Sequence, residues 1–432
     1  MSTLKVNKIR DTSGSADAIT LDPSGGAVLA GVTTISTARI TTGITTSIQV
    51  GGGVTISESG IEASGIGITC ASINGGQISG RRNIVTNGAM LVAQRGTSST
   101  SAGYQTVDRF RTYTNGVDEA PTQAQVDVSS GTGPYTEGFR KAFKITNGNQ
   151  TGGAGGADYI IMRHMVEAQD MANSGWNYTS SSSFVTLSFW VKASVAQNYY
   201  FSVLSSDGTL QNFPMETGSL TADTWTKITK TIPGASGVQF NNDTGIGLEI
   251  DWWPFAGTSY TANGVALDTW AAFASGTRFP DHTSTWYTTN DATFEITGVQ
   301  LEVGTQASAF EHRTFNDELS LCNRYFQKYT CSAQEWIYVE GVGVQYKWWQ
   351  SHFHPMRTTP TVGVSGLSTG SGTDAAGLSG EISTIAVVST SGGGANGRVS
   401  YRVTFSAESG TARTLHHTDS WNGDSVTYSA EL

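Results

Sequence analysis

The sequence predicts an all-β protein: an extended trimeric β-shaft, then a jelly-roll β-sandwich, then a C-terminal β-sandwich, with one connecting helix between the globular parts. Three observations carry this reading. From Asp11 to Gly80 the chain is built mainly of Gly, Ser, Thr, Ala and Ile, with Arg39 its only basic residue. Trp, Tyr and Phe are absent before Tyr104 and frequent afterwards. Beyond residue 80, short alternating segments are separated by Gly, Ser, Asn and Pro, and a single segment keeps a convincing helical period.

Residues 1–30 hold both early lysines, Lys5 and Lys8, and more charge than residues 31–80. This end reads either as an attachment peptide that orders on a partner or as a frayed terminus. In residues 31–80 isolated β-branched residues recur, among them Val32, Ile40, Ile48, Val50, Val54, Ile56, Ile61 and Ile66. Such a segment has too little apolar bulk to offset the entropy of ordering it alone. Ile48 and Val50, like Val54 and Ile56, alternate with polar residues and so share one strand face. Three identical chains around one axis bury that face and leave no free strand edges, which is the logic of a shaft. The shaft carries weak register signals, so the globular parts are expected to align the three chains.

Residues 81–314 are read as the jelly roll. Eight segments alternate as strands do: 107–113, 141–145, 159–165, 184–191, 199–204, 225–232, 246–252 and 294–303. In one of them Val185, Leu187, Phe189 and Val191 face one way, and Thr186, Ser188 and Trp190 the other. Residues 315–331 are read as the helix, with Asn316 as N-cap, Asp317 and Glu318 in the first turn, and Arg324 and Lys328 late. Leu319, Cys322, Phe326 and Tyr329 form its apolar stripe. Residues 332–432 return to β, with strands expected within 336–350 and at 381–388, 398–405 and 425–432. Their Gly- and Ser-rich loops suit a variable recognition surface.

The chain has 432 residues and a net charge of −10, with no basic run beyond Arg81 and Arg82. Nucleic-acid binding is therefore not expected, because phosphates need clustered Lys and Arg. The three cysteines, Cys70, Cys322 and Cys331, have no metal-type spacing and read as reduced thiols, a Cys322–Cys331 disulfide being the less favoured alternative. No charged-then-apolar leader opens the chain and no apolar run of about 18 residues occurs, so neither signal-peptide secretion nor membrane insertion is expected.

Three motifs carry a resemblance. GVQLEVG at 298–304, AFEHR at 309–313 and ELSLCNRYFQKY at 318–329 come after an opening of RNIVTNGAM at 82–90, QRG at 94–96 and VDRFR at 107–111. In these the chain resembles bacteriophage tail fibre proteins with a carbohydrate-binding-module-like jelly roll. Its first residues, LKVNKIRDTSGSADAITLDPSGG, are similar to fibres of marine and cyanobacterial phages. The resemblance covers residues 1 to about 330 and is most specific in the middle. It implies a homotrimeric virion appendage, assembled in the host cytoplasm, bound to a tail or baseplate protein at its N-terminus and reaching the host with its C-terminal domains. It transfers no catalytic residue and implies no cofactor.

The receptor expected is a cell-surface glycan, lipopolysaccharide or similar. Sugar rings stack on Trp and Tyr, so the binding candidates are Trp336, Tyr338, Tyr346, Trp348, Trp349 and Trp421 in the tip, and Trp252, Trp253 and Trp286 in the jelly roll. Neighbouring Trp residues on a strand point to opposite faces, so one of each pair can be core and the other exposed. Two alternatives stand beside the adhesin. A tailspike-type glycan depolymerase needs two carboxylates across a groove, for which Asp251, Glu295 and Glu302 are the candidates. A purely structural virion appendage needs no site at all. His352 and His354 share a strand face and form a weak metal candidate at a trimer axis, with His416 and His417 further on.

Overall fold

The computed structural model describes residues 82–330, 355–363, 365 and 425–432 with their side chains, and further strands through their backbone pairing. The chain divides into two compact units, Met1–Cys70 and Ala71–Leu432. In the first, two three-stranded antiparallel sheets are paired, Lys8–Arg10 with Asp17–Leu21 and Ala27–Leu29, and Ser47–Val50 with Val54–Ser57 and Gly60–Ala63. In the second of these, register sets Ile48 opposite Ile56, Val50 opposite Val54 and Ile56 opposite Ile61. The apolar positions thus share one face of the sheet, within one chain. The shaft was expected to pair its strands between chains; only residues 51–53 and 58–59 separate these strands, connections short enough for each chain to build its own meander.

The second unit is dominated by two antiparallel sheets. The strands are β1 (Phe110–Asn115), β2 (Thr122–Asp127), β3 (Lys141–Thr146), β4 (Tyr159–Glu167), β5 (Phe184–Ala193), β6 (Asn198–Ser205), β7 (Gln211–Ser219), β8 (Thr226–Pro233), β9 (Ile246–Ala256) and β10 (Thr293–Val303). The first sheet runs β8-β5-β10-β3-β2 and ends in Ser98–Ser99; the second begins at Ala271–Ala272 and runs β7-β6-β9-β4-β1. Their inner faces share one core. Val185, Leu187, Phe189 and Val191 come from the first sheet, and Phe201, Val203, Ile250 and Trp252 from the second. Phe189 stands edge-on to Phe201 at 5.1 Å and to Trp252 at 5.6 Å, which locks the sheets face to face.

All eight sandwich strands expected from the sequence are present, with ends shifted by a few residues. β2 and β7 were not foreseen. β7 contains Pro214 and Gly218, which read as strand breakers. Pro214 is tolerated because the neighbouring edge strand pairs only Gln211 and Asn212, so no ladder partner waits for the amide that proline lacks.

The helix runs from Phe315 to Asn323, and its N-cap is Thr314, whose hydroxyl accepts from the Asp317 amide at 3.2 Å. Both points correct the reading of one helix over 315–331 capped by Asn316. Phe326–Thr330 is instead a strand, β11. Its aromatic and β-branched residues suit a strand, and Ser425–Ser429 (β13) supplies the partner from the far end of the chain. β13 also pairs with Thr361–Ser365 (β12), giving a three-stranded sheet β11-β13-β12. A further six-stranded sheet is described by its backbone, in the order Glu335–Tyr338, Leu415–Thr418, Gly370–Asp374, Ser379–Ser391, Arg398–Phe405, Gln345–Ser351. Cys322 is a buried free thiol; Cys70 and Cys331 lie outside the described residues. Among the described residues no helix is long and apolar enough to cross a membrane.

Candidate functional site

The sequence motifs that carry the resemblance meet in one knot. Asn83 accepts from the amides of Val85 and Leu301 and donates to the Val299 carbonyl at 3.1 Å. Glu311 accepts from the Asn83 amide, Arg313 donates to the Asn83 carbonyl at 2.6 Å, and Glu318 accepts from the Asn87 amide. Gly298 takes φ +62, where a Cβ would stand 2.6 Å from the Phe139 ring. Here β10 bulges, two of its residues facing one on β5 between Ser188 and Trp190. These motifs close the sandwich and hold no open site.

The outer face of the second sheet is occupied by the protein itself. Register lines up Pro214, Ser202, Asp251, Arg163 and Arg111 across the strands. Residues 257–280 run over this face, and Phe279, with Tyr260 and Leu267, packs on Ile161, Tyr200 and Trp253 in a second small core. Arg163 holds Asp251 in a two-pronged pair at 2.5 and 2.6 Å and pairs with Glu249; both carboxylates strengthen the charge on Arg163, while burial raises the Glu249 pKa. Arg278, from the covering segment, lies 5.0 Å from the Trp253 ring and 4.6 Å from Phe273. At one end of the sheet the C-terminal residues dock: Glu431 pairs with buried Arg109 and with Arg95 at 3.1 Å. Arg357 donates to the carbonyls of Ala430, Glu431 and Thr244.

The outer face of the first sheet is different. Residues 129–140 and 305–313 cover part of it, Phe310 standing edge-on to Phe139 at 4.8 Å. Beside them lies an open ledge. Trp190 and Trp225 are half-buried there, Lys227 reaches across to Glu137 at 2.9 Å, and Lys192 pairs with Glu295 at 3.2 Å with its ammonium 5.1 Å from the Trp225 ring. Lys144 stands opposite Glu295 on the third strand of the row. The Trp190 indole N–H donates to Glu137 at 3.0 Å, which fixes the ring while leaving part of it to solvent.

The candidates named from sequence have different fates. Trp252 and Trp253 do point to opposite faces, yet both are buried, at 0% and 3% exposure. Trp252 and Trp286 are in the main core, and Trp253 is roofed by residues 257–280, so none of these rings is available to stack a sugar. This corrects their reading as binding residues; that the segment after the strand folds back over it cannot be seen from the strand alone. Trp336, Tyr338, Tyr346, Trp348 and Trp349 lie in strands whose side chains are outside the described residues, as are Trp421, His352 and His354 altogether. Asp251, Glu295 and Glu302 are committed elsewhere: to Arg163, to Lys192, and to the Ser308 amide and hydroxyl. Trp190 and Trp225 were missed as binding candidates. The signal was present for Trp190, which sits on the polar side of β5 beside Thr186 and Ser188.

No protein-family model and no curated protein matches the chain. Among solved structures it is similar to the enzymatically active domain of tailspike protein 4 of bacteriophage CBA120, at 9% identity and TM-score 0.26, over 51% of this chain and 21% of that one. It is also similar to the N-terminal cellulose-binding domain of a Cellulomonas fimi β-1,4-glucanase, at 11% identity and TM-score 0.24, covering 50% of this chain and 99% of that one. A putative sugar-binding protein of Bacteroides thetaiotaomicron is matched at 12% identity and TM-score 0.26, covering 51% of this chain and 100% of that one. Likeness at these scores is slight, and the sandwich assignment stands on the strand pairing and shared core described above.

Proposed function

We propose that this chain is a homotrimeric receptor-binding fibre of a bacteriophage virion, a non-enzymatic adhesin that recognises a host surface polysaccharide. The observation that carries the reading is the ledge of Trp190 and Trp225, two half-buried indoles set among lysines, carboxylates and hydroxyls on the outer face of the first sheet. Sugar rings present C–H faces to indoles and hydroxyls to such a surround. The commitment of Asp251, Glu295 and Glu302 to partners supports binding without cleavage. In the N-terminal unit, a three-stranded sheet with its apolar positions on one face supports assembly of three copies around that face. Residues 1–30 are then the end that meets a tail or baseplate protein. Three weak sugar sites on one fibre gain avidity of roughly 10² or more.

Two measurements test this. Light scattering on the full chain and on the chain lacking residues 1–80 is expected to give trimers in both; a monomer in both would remove the fibre reading. Binding of the purified chain to host cells is expected to fall at least tenfold for the double change Trp190→Ala, Trp225→Ala. Undiminished binding would move the receptor site away from the ledge, to the tip. Release of reducing ends from host polysaccharide would instead favour the depolymerase.

A further inference from the structure

We propose that the turn carrying Asn263 and Gly264 is a site of spontaneous covalent modification, in which the Asn263 side chain loses ammonia and the residue becomes aspartate or isoaspartate. The chemistry favours an asparagine followed by glycine, because a following residue without a Cβ lets its amide nitrogen approach the asparagine side-chain carbon. The sequence holds seven such pairs, and four of them lie in the described residues, at Asn87, Asn115, Asn147 and Asn263. The sequence alone ranks these four equally. Their surroundings do not.

Asn87 is 0% exposed; its Nδ2 donates to the carbonyls of Val92 and Asp108, and its Oδ1 accepts from the Val92 amide. Asn147 is 2% exposed; its Nδ2 donates to the carbonyls of Trp286, Tyr287 and Thr289, and its Oδ1 accepts from Gln150. The backbone carbonyls of Val299 and Glu119 press on Gly88 and Gly148, so neither peptide plane can turn. Asn115 is exposed, but its Nδ2 donates to the Ala157 carbonyl at 2.8 Å and the Asp158 carboxylate crowds Gly116. Asn263 is different. It is exposed in a turn, and its side chain has no hydrogen-bond partner among the described residues. Gly264 takes φ +79, and a Cβ placed on it would meet nothing within 4 Å, so the peptide between the two residues has room to rotate into the attacking geometry.

In the reaction the Gly264 nitrogen, its proton taken by hydroxide, bonds to Asn263 Cγ as the bond from Cγ to Nδ2 breaks. Nδ2 takes a proton from water and leaves as ammonia. Water then opens the succinimide at Cγ, giving aspartate, or at the backbone carbonyl carbon, giving isoaspartate with a longer main chain. No oxidant or reductant is needed. The turn belongs to the segment that roofs Trp253 and precedes Leu267 of the second small core, so either product adds a carboxylate to that roof.

The test is peptide mapping by mass spectrometry of the full chain, incubated in heavy-oxygen water at mildly alkaline pH, folded in one arm and unfolded by denaturant in the other. In the unfolded arm all four sites should convert at similar rates, because the dipeptide is the same. In the folded arm Asn263 should stay within a few fold of its unfolded rate, and Asn115 should fall behind it. Asn87 and Asn147 should be slowed by about a hundredfold or more, since each must first open its local structure. Asn263→Gln, an exposed change, should abolish the signal at this turn and leave the other three sites as they were. Conversion of Asn263 that is slowed in the folded chain as much as that of Asn87 and Asn147 overturns the proposal, and so does conversion at Asn115 that outpaces it.

Discussion

The two outer faces of the sandwich start from similar material and end differently. Each presents a tryptophan on the outward side of a strand that also carries charge: Trp190 on β5, with Lys227 opposite and Lys192 two residues on, and Trp253 on β9, two residues after Asp251. On the second sheet residues 257–280 cover the tryptophan and the C-terminal residues cap the end of the strands, so polar residues there are spent on internal pairs. On the first sheet the covering segments stop short, and the same residue types remain in contact with water. A binding surface on this fold is therefore defined less by the strand that carries an aromatic residue than by which loop passes over it.

The comparison predicts opposite phenotypes. Trp253→Ala should lower stability by about 3–5 kcal/mol, read by chemical denaturation, because it empties the small core beneath residues 257–280. Host binding per folded molecule should stay unchanged. If the loss is under about 1 kcal/mol, the roof is not held by this ring. Glu431→Ala comes next, at about 3 kcal/mol, since it strands the guanidinium of Arg109, 1% exposed, without its carboxylate. Arg109 then keeps its bond to the Met165 carbonyl and its stack on Tyr325, so partial retention of structure is expected.

Beside this latch, Asp108 accepts from the amide and side chain of Gln94, and burial pushes its pKa from 3.8 up to about 6. A carboxyl with a raised folded pKa holds its proton longer in the folded state than in the unfolded one. Stability from this group is thus full below about pH 4 and falls as pH rises to about 6, by roughly 3 kcal/mol. Asp108→Asn should flatten that slope, measured as melting temperature against pH. An unchanged slope would assign it to other groups.

How much of this contrast was legible in the sequence depends on distance along the chain. The inward row Val185, Leu187, Phe189, Val191 was legible because alternation is local and the pattern of one strand fixes its own faces. The motif residues Asn83, Gly298 and Glu311 were visible as motifs, but their meeting is a matter of tertiary pairing over some 200 residues of chain. β11 was misread as helix because its partner, β13, is at the other end of the globular chain. Trp253 was misread for a different reason: its roof follows directly in the chain, but that residues 257–280 fold back over the strand is a matter of tertiary packing that alternation within the strand does not encode. Trp190 was legible as outward-facing and was passed over in favour of adjacent tryptophan pairs.

The smallest expected effect sharpens the comparison most. Lys227→Ala removes a surface pair with Glu137, where both groups are more than a third exposed, so stability should change by less than about 0.5 kcal/mol. Yet Glu137 also accepts from the Trp190 indole, and Lys227 is the residue directly opposite Trp190 across the strands. A glycan lying on that indole has Lys227 within its rim, so binding should weaken severalfold, more at low salt than at high. The equivalent change on the closed face, Arg278→Ala, should do the reverse, costing stability through the lost stack on Trp253 and leaving binding intact. If Lys227→Ala and Arg278→Ala have the same signature in binding and in denaturation, the distinction between an open and a closed face is wrong, whatever the two tryptophans do.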